Sequence, residues 1–237
     1  MKKSKQTTDA GADSPVCAVK TPKPRGRPLS FDRDAALERA MNVFWERGYE
    51  AASIADLTAA MGITPPSLYT AFGDKEKLFL EAIERYALGP GSAAPRALAE
   101  EPTARGAIER WLNEAADELT SACHPSGCML VMATTNCSVA AERVANALAK
   151  RRAAGVAGVR QRIQQGIGSG ELPAGTDAGA LANFYATVYQ GMSMQAKDGA
   201  SHASLLASVD MAMRSWPSAQ PSPAAPARRM AQANADG

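Results

Sequence analysis

Apolar positions recur at helical intervals along most of this chain, and the tightest pattern lies at residues 53–80. Ile54, Leu57 and Met61 stand at i, i+3 and i+7, one stripe of a helix. Ser53, with Asp56 three residues on, is a capping box with Asp in the Glu/Gln role, so the helix starts at Ile54. Gly62 ends it, because glycine takes a left-handed backbone without a Cβ penalty. Thr64 caps the next helix through its hydroxyl, and Pro65 takes the first helical position, where its missing N–H is not needed. Leu68 and Phe72 point inward, four apart, leaving Ser67, Tyr69, Thr70 and Ala71 on other faces, mostly outward. Gly73 stops this helix, and Asp74 caps a third with apolar positions Leu78, Phe79, Ile83 and Tyr86. Upstream, Asp32 or Asp34 opens a helix that buries Leu37, Ala40, Met41 and Phe44 and closes at Gly48, with Trp45 and Tyr49 packed partly against the helices that follow. Two short helices across a glycine turn, the second polar on one side, form a helix-turn-helix, the unit that seats a helix in the DNA major groove.

Beyond residue 88 the pattern stays helical but coarser. Residues 88–101 read as a Gly/Pro/Ala-rich connection with at most one helical turn. Helices are predicted at about 103–121, 127–136, 138–168, 177–197 and 202–215, with a break at His124-Pro125 and a turn at Gly170–Gly175. The last two carry Leu181, Phe184, Tyr185, Val188 and Met192, then Leu205, Leu206, Val209, Met213 and Trp216, more apolar surface than one side of a helix needs. Two such helices from each subunit would make a four-helix dimer interface. The fold class is all-α: alanine is abundant and alternating β-branched runs are few. The organisation is a disordered basic arm at 1–29, a helix-turn-helix domain at 30–90 with its motif at about 54–73, a helical ligand-binding and dimerisation domain at 91–216, and a disordered tail at 217–237.

Charge changes this picture in one respect. The formal net charge is only +2, but residues 1–29 hold seven Lys/Arg against two Asp, while residues 30–88 hold six against ten Asp/Glu. The basic load therefore sits on the arm and not on the helix-turn-helix. Within the arm, Pro24-Arg25-Gly26-Arg27-Pro28 holds two arginines on an extended, proline-flanked segment, suited to a narrow A·T-rich minor groove where the potential is most negative. The first lysines are not followed by an apolar segment, as a signal peptide requires, and no run approaches membrane-spanning length, so the expected location is the cytoplasm.

The run Phe44-Trp45-Glu46-Arg47-Gly48-Tyr49-Glu50-Ala51, then Ile54-Ala55-Asp56-Leu57, Met61-Gly62-Ile63, Ser67-Leu68-Tyr69, Phe72, Asp74-Lys75-Glu76 and Leu78-Phe79, resembles the N-terminal domain of the TetR/AcrR transcriptional regulators over residues 30–88. Gly127-Cys128-Met129-Leu130 resembles a segment found in one branch of that family. The resemblance implies an all-helical homodimer that represses at a palindromic double-stranded operator and is released by a small-molecule inducer. By position in the family motif, Thr64, Pro65, Pro66, Ser67 and Thr70 face bases or sugars, while Ser53, Tyr69 and Lys75 hold phosphates. Pro65-Pro66 stand where base-reading polar side chains often occur, which points to apolar contact with thymine methyls there. A pocket among the helices at 103–197 would take the inducer, with Trp111, Cys128, Met129, Met132, Tyr185 and Tyr189 as lining candidates.

Four cysteines leave an alternative open. Cys17 lies in the arm; Cys123, Cys128 and Cys137 cluster with His124 around the short apolar helix. Thiolates and imidazole suit a soft-metal or thiol-redox sensor, but Cys-x4-Cys is not a standard zinc spacing, and buried cysteine also serves as a small hydrophobe. No cofactor or metal is expected. With two histidines, no phosphate-binding glycine loop and no dinucleotide fingerprint, an enzyme is disfavoured; a thiol enzyme on Cys123/His124 or a ligand-independent architectural DNA-binding protein are the remaining readings.

Overall fold

The structure is a computed structural model, and it describes residues 31–133 and 141–217. Among them the regular elements are helical throughout: α1 (Arg33–Ala51), α2 (Ile54–Met61), α3 (Pro65–Phe72), α4 (Lys75–Leu88), a 3-10 turn (Pro90–Ser92), α5 (Ala93–Glu100), α6 (Ala104–Leu119), α7 (Met129–Met132), α8 (Glu142–Gly168), α9 (Ala178–Lys197) and α10 (His202–Arg214). The arm arginines Arg25 and Arg27, the cysteines Cys17 and Cys137, and the tail beyond Pro217 lie outside the described residues.

The first four helices close on one another through large side chains. Phe44, Leu57, Leu68, Leu78 and Phe79 are fully buried, and each such side chain contributes on the order of 1.5–3 kcal/mol of hydrophobic stabilisation. Phe44 meets Phe79 edge to face at 4.9 Å. Arg33 stacks over the Phe72 ring at 4.4 Å and pairs with Glu81 at 2.7 Å, tying the start of α1 to the end of α3 and to α4. Asp32, and not Asp34, caps α1, its carboxylate accepting from the Asp34 and Ala35 N–H groups. Helical geometry in α1 breaks at Gly48, whose backbone stands at φ 78°, ψ 174°.

The connection expected at 88–101 is more ordered than its composition suggests. After the 3-10 turn, α5 forms a helix of eight residues. Pro95 sits in its first turn, where no backbone donor is needed, and alanine supplies helix propensity. Tertiary contacts then hold it: Ala97 is buried, Arg96 pairs with Glu114, and Arg110 reaches Glu100, Glu101 and Glu114 at 2.6–3.0 Å. On the far side, Glu171 accepts from the Ala104 and Arg105 N–H groups, both at 2.7 Å, and so caps α6 from the turn after α8.

The terminal helices spend part of their apolar surface within the chain. Tyr185, Met192, Leu205, Val209, Met213 and Trp216 are buried within the chain itself. Tyr185 donates its hydroxyl to the Ala212 carbonyl and packs on Trp216, closing α9 against α10. What remains outward is smaller: Phe184, Met194 and Met211 are the exposed large apolar side chains of these two helices.

Candidate DNA-binding face and effector cavity

The helix-turn-helix is held by backbone chemistry at each corner. Ser53 and Asp56 form the reciprocal capping box, and Gly62 closes α2 at φ 69°, ψ 33°. The Thr64 hydroxyl caps α3 at the Ser67 N–H and lies 3.0 Å from the Ser67 hydroxyl. Asp74 caps α4 at the Lys77 N–H. The outer face of α3 then presents Thr64, Pro65, Pro66, Tyr69 and Thr70, all exposed, with Ser67 half-buried beside them.

The side chains assigned to phosphate contact differ in availability. Tyr69 is half exposed on the outer face of α3. Ser53 is already occupied: its hydroxyl donates to Asp56 at 2.6 Å, and its N–H donates to the same carboxylate. Those two bonds and the Arg47 ion pair lower the Asp56 pKa to about 2. Lys75 donates to the Glu50 carbonyl at 3.3 Å and lies over the Tyr49 ring at 4.6 Å. Its partial burial lowers its pKa. Thr70 returns its hydroxyl to the Pro66 carbonyl at 2.8 Å, so that donor is satisfied within α3.

A buried junction joins this head to the rest of the molecule. Trp45, on α1, donates its indole N–H to the Gly127 carbonyl at 2.9 Å. One face of the indole stacks on His124 at 4.3 Å, and its edge meets Tyr86 of α4 at 4.9 Å. Gly127 is in the left-handed region at φ 82°, and a Cβ there would stand 3.0 Å from the Ser193 carbonyl, so glycine lets the 121–128 loop lie against α9. The next N–H, of Cys128, donates to the buried Ser193 hydroxyl at 2.8 Å. Tyr86 donates its own hydroxyl to Cys128 Sγ at 3.2 Å. His124 Nε2 lies 2.6 Å from a Glu118 carboxylate oxygen on α6.

Directly behind this junction is a cavity of about 370 Å³ bounded by α4, α5, α6, α7, α8 and α9. Its walls are mostly apolar, with Leu98, Trp111, Val156 and Val159 among them. Polar groups are few: the Tyr86, Cys128 and Tyr189 side chains at one end, and Glu118, Gln190, Arg151 and Arg152 elsewhere. Burial, then the neighbouring Tyr189 and Cys128, push the Tyr86 hydroxyl well above the usual phenol range. Tyr189 is raised likewise, by burial first and Cys128 next.

Of the residues put forward as lining, Trp111, Cys128 and Tyr189 border this cavity. Met129 is buried in the core, Met132 packs near Gly127, and Tyr185 turns toward α10, so these three stand away from it. The α8 wall lies within the helices expected to hold the pocket, whereas Tyr86, Glu118 and the α5 wall were not foreseen. In the sequence Tyr86 stands at an apolar position of its helix, and the α5 segment has the composition of a linker. Cys123 is exposed and Cys128 buried, and among the described residues no three Cys, His, Asp or Glu side chains converge as metal ligands.

A capped helix-turn-helix followed by a helical domain with its own cavity defines the class of helix-turn-helix transcriptional regulators. Residues 36–82 match the family of bacterial regulatory proteins termed tetR, and residues 103–210 match the tetracyclin repressor-like C-terminal domain. The chain is 38% identical over 207 residues to the HTH-type transcriptional repressor ComR of Escherichia coli (strain K12), covering 86% of this chain and 97% of that protein. It is 32% identical over 106 residues to the HTH-type transcriptional repressor BdcR of the same organism, covering 45% of this chain and 54% of that one. Among solved structures it is similar to a triple cysteine mutant of the TetR family transcriptional regulator CifR complexed with 26-bp double-strand operator DNA. That match has 47% identity and a TM-score of 0.78, over 81% of this chain and 100% of that one. The chain belongs to the TetR family of transcriptional regulators. It is a DNA-binding regulator of transcription, in a family that is not one of enzymes.

Proposed function

We propose that this chain is a homodimeric repressor that holds a palindromic double-stranded operator through α3 and releases it when a small molecule fills the 370 Å³ cavity. The observation that carries this reading is the course of α4. It begins at Lys75, capped by Asp74 just after the recognition helix, and its Tyr86 and Ala87 form part of the cavity wall. One helix therefore belongs to both sites. A ligand that moves α4 changes the spacing of two recognition helices, which must stand about 34–36 Å apart, or a multiple of that, to enter successive major grooves. The outward Phe184, Met194 and Met211 on α9 and α10 supply an apolar patch for a two-fold contact, and α3 supplies the base-facing surface. Arg25 and Arg27 add minor-groove contacts from the arm. Among the described residues no helix is long and apolar enough to cross a membrane, and the proposed place of action is the cytoplasm, with the DNA.

The test is selection of bound duplexes from a random pool by the full-length protein, followed by sequencing. The expected product is an inverted repeat whose half-sites are centred about one or two helical turns apart. Retention of duplexes with no common sequence would instead make the protein a sequence-independent DNA binder and overturn the operator reading.

A further inference from the structure

The polar end of the cavity has an unusual composition: two tyrosines, Tyr86 and Tyr189, and one thiol, Cys128, on which the Tyr86 hydroxyl is bonded. Sulfur is a weak acceptor, so the Tyr86 hydroxyl, buried and 3.2 Å from Sγ, makes a weaker bond there than it would to an oxygen. The half-buried ring of Tyr189 forms part of the cavity wall beside the same Tyr86–Cys128 pair. The arginines around the cavity have partners of their own, Arg151 with Glu84 and Arg152 with the Leu130 carbonyl at 2.9 Å, and Glu118 lies against the His124 ring, its carboxylate oxygen 2.6 Å from Nε2. A charged ligand would lose its hydration here without meeting an unoccupied counter-charge.

Resting on the reading of this cavity as the effector site, we propose that the effector is an uncharged small molecule with an apolar body and one oxygen acceptor, which takes the Tyr86 hydroxyl away from Cys128 Sγ. The volume suits about ten to fifteen non-hydrogen atoms, scaling from benzene in an apolar cavity of about 150 Å³. The exchange replaces an O–H···S bond with a stronger O–H···O bond, so it favours binding. It also frees α4 from the 121–128 loop, because the Tyr86–Cys128 bond is a direct link between them. That loop carries Gly127, the acceptor of the Trp45 indole of the DNA-binding head. Recognition of the oxygen and loosening of the head are thus the same event.

Four probes of equal size separate the possibilities: 4-phenyl-2-butanone, isopentylbenzene, 3-phenylpropanoate and protonated 4-phenyl-2-butylamine. Binding to the full-length protein is read from tryptophan fluorescence, since Trp111 lines the cavity. The ketone and the hydrocarbon bind, and each charged probe binds at least about tenfold more weakly than the ketone. In Tyr86→Phe the ketone-to-hydrocarbon affinity ratio falls by about tenfold, the worth of one neutral hydrogen bond, while the hydrocarbon is held as before. Tyr189→Phe, which keeps the Tyr86 donor, lowers the ratio less. An unchanged ratio in Tyr86→Phe, or tighter binding of either charged probe than of the ketone, overturns the assignment of the ligand class and leaves the cavity reading intact. No binding by any of the four overturns the cavity reading itself.

Discussion

Trp45→Phe removes the buried link between the DNA-binding head and the cavity loop while keeping an aromatic ring. The Gly127 carbonyl loses a donor at 2.9 Å in a buried setting, and stranding such an acceptor costs about 1–3 kcal/mol. The smaller ring also weakens the stack on His124 and the edge contact with Tyr86, at about 0.5–1.5 kcal/mol for each pair fully lost. A phenyl ring retains part of both, so the expected loss is about 2–4 kcal/mol. Urea denaturation at fixed protein concentration measures it, the concentration being held because a dimer's stability depends on it. Position 45 faces the 121–128 loop and not the outer surface of α3, so operator affinity without ligand should change less than the response to ligand. A stability change below about 0.5 kcal/mol, with an unaltered ligand response, would refute the junction as a structural and signalling element.

Other perturbations probe separate parts of the account. Tyr69→Phe should weaken operator binding by about 1–2 kcal/mol, similarly across operator variants, in fluorescence anisotropy titrations, as expected for a phosphate contact. Deleting residues 1–28 removes seven Lys/Arg and two Asp and should make the slope of log K against log salt shallower by roughly 2–4, leaving the melting temperature unchanged. Asp56 has its folded pKa lowered to about 2, so the unfolded chain binds the proton first, and the stability it contributes is present above about pH 4 and lost as the pH falls toward 2. Melting temperatures of wild type and Asp56→Asn should accordingly converge over that window; parallel curves would remove the capping box from the balance. Gly127→Ala must hold φ 82° and fit a Cβ 3.0 Å from the Ser193 carbonyl, and should lower stability by about 2 kcal/mol or more in a thermal melt, where a loss under about 0.5 kcal/mol would mean the loop can lift from α9.

What the linear pattern disclosed, and what it hid, follows from the range of the interactions. Caps and turns are local, so Ser53, Gly62, Thr64, Gly73 and Asp74 are readable from neighbouring residues, and each stands in the cap or turn expected of it. The exposed face of α3 follows from those boundaries. The α5 helix was hidden because its composition resembles a linker and its support comes from Glu114 and Arg110 in the next helix. The cavity was half legible. Trp111, Cys128 and Tyr189 are amphipathic residues on predicted helices, but Tyr86 doubles as core and cavity wall, and periodicity cannot separate the two roles. The Trp45–Gly127 bond spans 82 positions and has no local signature at all. In the terminal helices periodicity shows which face is apolar, but not how much of it α10 covers and how much is left for a second subunit.

The central claim is that one helix couples the cavity to the DNA. Its most direct test is calorimetry of 4-phenyl-2-butanone binding to the full-length protein, alone and saturated with the selected operator duplex. A coupling of about 1–3 kcal/mol predicts ketone affinity five- to 150-fold weaker on the operator complex, with operator affinity reduced by the same factor when the cavity is full. Equal ketone affinity with and without the operator would contradict it.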